Sequence, residues 1–132
     1  MIRLCYKDYS WKVSNGARKS FEDQTGLDLE TVFGDYLEES LLSMNKPLIS
    51  RMQSLSKLYS RKIATKALHA VIKAADDSIP LAEIEDACYR VSWQLSDKPD
   101  DLSEPWPIVM YLVALDMNDY FNNNLPKKKA DI

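Results

Sequence analysis

Few residues in this sequence could perform catalysis, and their spacing assembles no catalytic group. His69 is the single histidine, and the residues three and four positions away are Thr65, Lys66, Ile72 and Lys73. These helical neighbours provide no carboxylate and no activated nucleophile, so no triad forms locally. We therefore predict that the protein is not an enzyme.

The cysteine, acidic and glycine residues are not spaced to hold a metal or a cofactor. Cys5 and Cys88 fall in no C-x-x-C pattern, and one histidine adds too few ligands for a zinc site. Acidic neighbours occur at 38–39, 76–77, 83–86 and 100–101, but without a D-x-D-x-D-G loop. The three glycines form no phosphate-binding loop. We expect no metal, no cofactor, and cysteines that remain reduced in the core.

Composition and charge restrict the kind of protein and the kind of partner. The 132 residues fit one domain, and 45% hydrophobic with 28% charged residues is ordinary for a globular chain. A net charge of −3 and a pI near 5.2 provide no overall positive field for nucleic acid or for an anionic membrane. No stretch of 18 apolar residues occurs and the N-terminus does not read as a signal peptide, so we expect a cytoplasmic protein.

Apolar periodicity predicts a mainly α protein, a single small domain of about five helices with an N-terminal β-hairpin. The domain is expected over 1–124, with the hairpin in 1–14, helices in 15–124 and a flexible basic tail over 125–132. Two alternating sets of residues indicate the hairpin, with Lys7-Asp8 between them: Ile2, Leu4 and Tyr6, then Tyr9, Trp11 and Val13.

Helix boundaries follow from caps, prolines and apolar stripes. A first helix over 15–25 should end at Gly26, and Asp28 should cap a second helix whose apolar stripe extends to Leu41 and Met44. A shorter helix is expected over 48–58, with Ile49, Met52 and Leu55 turned inward. Further helices are predicted over 60–75 and 81–95, and a last helix, capped by Ser103, should end near residue 123.

A basic stripe accompanies the helix predicted over 60–75. Lys62, Lys66, His69 and Lys73 share a face opposite the apolar one, at spacings of 4, 7 and 11. Such a stripe is usually a solvated helix face. The functional interpretation is docking to an acidic partner or to a phosphate backbone.

Two helices carry more apolar residues than one core requires. Tyr89 and Trp93 lie nearly opposite the apolar stripe of their helix, and large aromatic residues often anchor interfaces. In the last helix one stripe contains Trp106, Val109, Met110, Val113, Met117 and Tyr120, and the reverse side carries Ile108, Tyr111, Leu112 and Leu115. Either this helix is central and buried, or its reverse side meets a partner. The candidate partner-binding residues are therefore Tyr89, Trp93, Ile108, Tyr111, Leu112 and Leu115.

One short segment and its surroundings resemble a known family. The motif is FEDQTG at 21–26, preceded by the predicted hairpin ending in YSWKV and followed by LDLETV. In this arrangement the chain resembles the tail assembly chaperones of long-tailed, lambda-like bacteriophages, and IPLAEIED at 79–86 extends the resemblance. The resemblance implies a non-catalytic protein of the host cytoplasm that binds the tape measure protein during tail assembly and is not expected in the mature virion.

The resemblance also implies a second, longer form. Chaperones of this kind are often extended by a programmed frameshift, and the extension is thought to recruit tail tube subunits. Lys127, Lys128 and Lys129 have adenine-rich codons on which such a slip could occur. A solubilising basic tail explains the same residues equally well.

Two other functions remain open at this point. A small helical DNA-binding regulator is motivated by the basic stripe, although the acidic net charge argues against it. A small enzyme, or an inhibitor of one, has only acidic pairs of ordinary frequency to support it. Self-association is a further expectation, and neither nucleic acid nor membrane is expected as a partner of the chaperone.

Overall fold

Six helices and a two-stranded hairpin make up the described part of the chain. The computed structural model describes residues 2–4, 7–90 and 106–124. The elements are β1 (Ile2–Leu4), β2 (Lys7–Tyr9), α1 (Asn15–Thr25), α2 (Leu29–Leu42), α3 (Leu48–Ser56), α4 (Arg61–Ala75), α5 (Leu81–Arg90) and α6 (Trp106–Asn124). The predicted mainly α class is confirmed, with six helices in these residues where about five were expected. Residues 125–132, predicted as a basic tail, lie outside the described residues.

The strands of the N-terminal hairpin are shorter than the alternating sets suggested. They are antiparallel, with Ile2 paired to Tyr9 and Leu4 paired to Lys7. Lys7 and Asp8, which separate the two alternating sets, both belong to β2. Trp11 and Val13 follow the strand and pack against the core without being part of the sheet. Their alternation reflects contact with the core, which periodicity alone does not distinguish from strand pairing.

Hydrogen bonds attach the hairpin and the segment after it to the helices. Glu83, in the first turn of α5, accepts hydrogen bonds from Lys7 Nζ at 2.8 Å and from Tyr9 Oη at 2.6 Å. The backbone N–H of Lys12 donates to the carbonyl of Val71 in α4 at 3.0 Å. The hairpin, which is marginal alone in water, is thus held on the helical body.

The predicted caps between α1 and α2 are confirmed. Gly26 has φ 74°, the left-handed conformation that glycine adopts without strain, and its N–H donates to the Glu22 carbonyl at 2.7 Å. The Asp28 carboxylate accepts from the N–H of Thr31 at 3.0 Å. This hydrogen bond lowers the pKa of Asp28, with a further contribution from Arg18. Two local caps thus fix the sharp change of direction between α1 and α2.

The end of α2 and the start of α3 differ from the prediction. Helix α2 ends at Leu42, and Leu41 and Met44 are 53% and 61% exposed although the stripe placed them inward. Ile49 was also predicted inward and is 69% exposed, whereas Met52 and Leu55 are buried as predicted. The chain turns after Leu42. The last residues of the predicted stripe therefore lie beyond the helices that cover the beginning of α2.

Helix α4 lies at the centre of the fold, packed against α1, α5 and α6. Ser60 caps it by accepting a hydrogen bond from the N–H of Ile63 at 3.2 Å. Its buried residues are Ala64, Thr65, Ala67, Leu68, Val71 and Ile72. Two further apolar residues of this helix lie outside the buried set: Ile63 is half-buried and Ala75 is exposed.

Helices α5 and α6 complete the core. In α5, Ile84, Ala87 and Cys88 are buried, and Cys88 was predicted in the core; the predicted continuation to residue 95 lies outside the described residues. The Ser103 cap and Cys5 also lie outside them. Helix α6 packs mainly on α2, with further contacts to α3, α4 and β1. It buries Trp106, Val109, Met110, Val113, Ala114 and Met117, which includes the predicted stripe except Tyr120, whose side chain is not among those described.

Candidate functional site

The predicted partner-binding residues of α6 lie on its less buried side. Ile108, Tyr111, Leu112 and Leu115 follow the spacing of 3, 4 and 7 that places them on one helix face. Leu112 is 42% exposed and the other three are half-buried, with Ile108 and Tyr111 packed against the edge of the core. The helix is thus buried along one side and partly open along the other. Their role in binding stays a prediction.

The predicted aromatic anchors cannot be placed at a surface. Tyr89 belongs to α5, but its side chain is not among those the structure describes. Trp93 lies outside the described residues. The outer face of α6, formed by Ile108, Tyr111, Leu112 and Leu115, is therefore the part of the predicted site that the described structure brings together.

A larger exposed apolar surface occurs where α2 turns into α3, and the sequence analysis missed it. Five large side chains there are between 53% and 71% exposed: Leu41, Leu42, Met44, Leu48 and Ile49. We call this surface the corner patch. Contiguous apolar exposure of this kind commonly marks a protein interaction site. The sequence signal was the high density of apolar residues over 41–49, which continues through the Asn45-Lys46-Pro47 helix stop.

Buried polar contacts hold the corner in this conformation. The Arg51 Nη2 donates to Ser40 Oγ at 2.7 Å, and Ser43 Oγ donates to the Glu39 carbonyl at 2.8 Å. Ser40 and Ser43 are buried with 1% and 0% exposure. At this turn the small polar side chains are therefore buried, and the large apolar side chains are exposed.

A shallow groove lies between α2 and α6, and helix periodicity links it to the corner patch. It has a volume of about 150 Å³ and is lined by Glu30, Phe33, Gly34, Leu37, Ala114, Met117 and Asn118. Residues three and four apart on a helix are neighbours on its surface, so Gly34, Leu37 and Leu41 form one row. The row begins in the groove and ends in the corner patch, and we call the groove, this row and the corner patch together the apolar track.

Acidic residues lie beside the patch. A second depression, of about 160 Å³, is lined by Asp35, Glu38, Glu39, Leu42 and Leu58. Asp35 accepts a hydrogen bond from Tyr59 Oη at 2.5 Å. Burial, together with this carboxylate, raises the pKa of Tyr59 to about 12, which favours the protonated hydroxyl that donates to Asp35. The surface thus combines an apolar track with a negatively charged border.

The basic stripe of α4 is less accessible than its sequence suggests. Lys62 and Lys73 are exposed, but Lys66 and His69 are half-buried on the side of α4 that faces α1. His69 Nε2 lies 2.9 Å from the carbonyl oxygen of Ile79. A carbonyl oxygen can only accept, so this nitrogen carries the proton. The stripe is therefore not a uniformly solvated face.

Two further findings concern metals and membranes. In the described ranges, no group of three or more histidine, cysteine or acidic side chains is placed to hold a metal ion. None of the described helices has the length and apolarity needed to cross a membrane.

Comparisons with known proteins give no assignment. No family model matches the chain. No curated protein and no solved structure matches it either.

Proposed function

We propose that the protein is a non-catalytic tail assembly chaperone of a long-tailed bacteriophage that binds the tape measure protein in the host cytoplasm. The observation that carries the proposal is the apolar track formed by the groove between α2 and α6 and by the corner patch. A chaperone for a long helical client needs an open apolar surface of this kind more than it needs an enclosed pocket. An amphipathic helix laid in an apolar groove is a common mode of recognition.

The border of the track indicates what the client segment should look like. Asp35, Glu38 and Glu39 lie beside Leu42, so basic residues flanking an apolar helix stripe complement the surface. The client segment is therefore an amphipathic helix with lysine or arginine next to its apolar face. The outer face of α6, beginning with Ile108 and Tyr111, widens the apolar surface available to it.

The residues that carry the family resemblance act within the fold. Phe21 is 1% exposed, and the hydroxyl of Thr25 donates to the Phe21 carbonyl at 2.7 Å and accepts from the N–H of Leu27 at 3.1 Å. Gly26 provides the left-handed residue that ends α1. The motif therefore specifies the junction of α1 and α2, and the binding surface is formed by the helices that follow.

Co-expression with the tape measure protein tests the proposal. The wild-type chain should keep that client soluble, and the double variant Leu42→Ser with Ile49→Ser should reduce the soluble fraction because it removes two of the most exposed side chains of the corner patch. The matched control is Asp23→Ser with Lys62→Ser, two exposed residues outside the track whose replacement leaves the net charge unchanged. Circular dichroism checks that both variants are folded.

Three results would count against the proposal. The first is a client equally insoluble with and without the wild-type chain. The second is an equal effect of the corner and control variants. The third concerns the longer form, which is proposed to recruit tail tube subunits: the codons for Lys127 to Lys129 should form an adenine-rich slippery sequence followed by an overlapping reading frame, and their absence removes this part of the proposal.

The DNA-binding alternative has a direct test of its own. It depends on Lys62 and Lys73, the two exposed lysines of the stripe, in a protein of net charge −3. Binding through phosphate contacts should weaken steeply as salt concentration rises. Lack of retention on duplex DNA at low salt excludes the alternative and leaves the chaperone proposal unaffected.

A further inference from the structure

Another cavity, distinct from the two depressions described above, lies between α1 and α4, away from the apolar track. Its volume is about 300 Å³, and its lining contains no residue of α2, α3 or α6. The lining residues are Ser14, Gly16, Ala17, Ser20, Phe21, Gln24, Lys66, His69, Ala70, Lys73, Ala74 and Asp77. A ligand bound here would not compete for the surface proposed for the client.

The cavity has the mixed lining of a small-molecule site. The buried Phe21 is part of its lining, and Ala17, Ala70 and Ala74 add short apolar side chains from both helices. Such sites typically measure about 300–1,000 Å³ and combine apolar walls with a few polar groups that orient the ligand. This cavity is at the lower end of that range, which suits a compact ligand with an apolar body.

The charged groups of the lining favour an anion. Lys66 and Lys73 lie seven residues apart on α4, a rise of about 10 Å along the helix axis. In the described ranges, no carboxylate approaches either ammonium group within 4.0 Å. Asp77 is the one acidic residue of the lining, so the two lysine and one aspartate side chains have a formal sum of one positive charge. One positive charge matches a singly charged anion better than a doubly charged phosphate monoester.

His69 forms a fixed part of the wall. Its Nε2 donates to the Ile79 carbonyl, which belongs to the segment between α4 and α5. This hydrogen bond restrains the imidazole ring beside the two lysines. The polar part of the lining is therefore partly preorganised, which reduces the entropy lost when a ligand binds.

We infer that the cavity between α1 and α4 binds a compact monocarboxylate, with its apolar body between the two helices and its carboxylate held by both Lys66 and Lys73. The inference is independent of the proposed chaperone function. It assigns ligand binding to Lys66 and Lys73 and not to Lys62, which belongs to the same stripe but does not line the cavity.

Titration of the full chain with hexanoate, followed by amide resonances in ¹H–¹⁵N spectra, tests this inference. Saturable shifts should occur in α1 and α4 and not in α6. Lys66→Gln and Lys73→Gln should each raise the Kd about two- to five-fold, the effect of removing one partly exposed ion pair. The matched control Lys62→Gln loses the same charge from the same stripe and should leave the Kd unchanged. Ala70→Leu should abolish the shifts by filling the cavity without changing its charge.

Several results would overturn the inference. These are shifts that do not saturate, an equal loss of affinity in Lys62→Gln and Lys66→Gln, or equal shifts with the neutral analogue hexanol. Tighter binding of hexyl phosphate than of hexanoate would overturn the assignment to a monocarboxylate. If the spectrum of Ala70→Leu shows a disturbed fold, the comparison of the three lysine variants decides the question.

Discussion

Helix α4 and the corner patch contain similar side chains in opposite environments. Leu68 of α4 is 0% exposed, enclosed by neighbouring helices, whereas Leu42 at the corner is 71% exposed. Burying a leucine side chain stabilises a protein by about 1.5–3 kcal/mol relative to leaving it in water. The apolar residues of α4 therefore contribute to the stability of the isolated chain. Those of the corner patch contribute little to it, and under the proposed function their apolar surface is buried by the client instead.

The largest expected difference between the two regions is in the effect of shortening a leucine. Leu68→Ala should lower the free energy of unfolding by about 2–5 kcal/mol, because it leaves a cavity in a packed core. The matched change Leu42→Ala should alter it by less than about 0.5 kcal/mol, since that side chain is already in water. Urea unfolding of both variants measures the difference. Similar losses in both would show that the corner is part of the core.

Local features of this fold could be predicted from the sequence, and long-range burial could not. Gly26 and Asp28 were correctly identified as caps because a cap depends on residues within one helical turn. The burial of Leu41, Met44 and Ile49 was predicted wrongly. Periodicity shows which residues share a face, but it does not show where the covering helix ends.

The candidate sites show the same limit. The apolar surplus on the outer face of α6 could be predicted because all of its residues belong to one helix. The corner patch needs the turn between two helices, and the cavity at Lys66 and Lys73 needs α1 to pack against α4 across a long sequence separation. Of these residues, Leu41, Met44 and Ile49 were predicted to face inward, and Lys66 and Lys73 were predicted to share the face opposite the apolar one.

The helix caps provide a second, smaller contrast between the two regions. Ser60 caps α4 through its side chain, whereas Pro47 at the start of α3 makes no such hydrogen bond. Ser60→Ala should lower the free energy of unfolding by about 1 kcal/mol, because the N–H of Ile63 loses its partner. Ser60→Asp is the control, since aspartate also caps well and should retain most of the stability. Equal losses in both variants would contradict a capping role.

Acid should weaken the contact between the hairpin and α5. The hydrogen bond from Lys7, and then that from Tyr9, lowers the pKa of Glu83 below its ordinary value. The Glu83 carboxylate therefore binds a proton more weakly in the folded state than in the unfolded state. The contact stabilises the fold at pH values above the pKa of Glu83 in the unfolded chain. This stabilisation is lost as the pH falls through the lower pKa of Glu83 in the folded chain. The free energy of unfolding of Glu83→Gln should be lower than that of wild type at neutral pH. This difference in free energy should shrink below a pH of about 4.

The control for this pH dependence is Glu85→Gln, an exposed carboxylate on the same helix. It should not reproduce the change, because Lys7 and Tyr9 of the hairpin donate their hydrogen bonds to Glu83. A difference between Glu83→Gln and wild type that stays constant across pH would mean that the carboxylate charge is not what stabilises the contact. The effect should be smaller than that of the Ser60 cap, since both partners of this ion pair are partly exposed.

The smallest expected effect is that of Ile49→Ser at the corner patch. Ile49 is 69% exposed, so the free energy of unfolding should change by less than about 0.5 kcal/mol. The same change should weaken any self-association through the patch, measured by sedimentation at increasing protein concentration, because it removes an exposed apolar side chain. A loss of stability above about 1 kcal/mol would place Ile49 in the core. Unchanged stability with reduced association is the combination expected of a surface whose apolar residues serve binding.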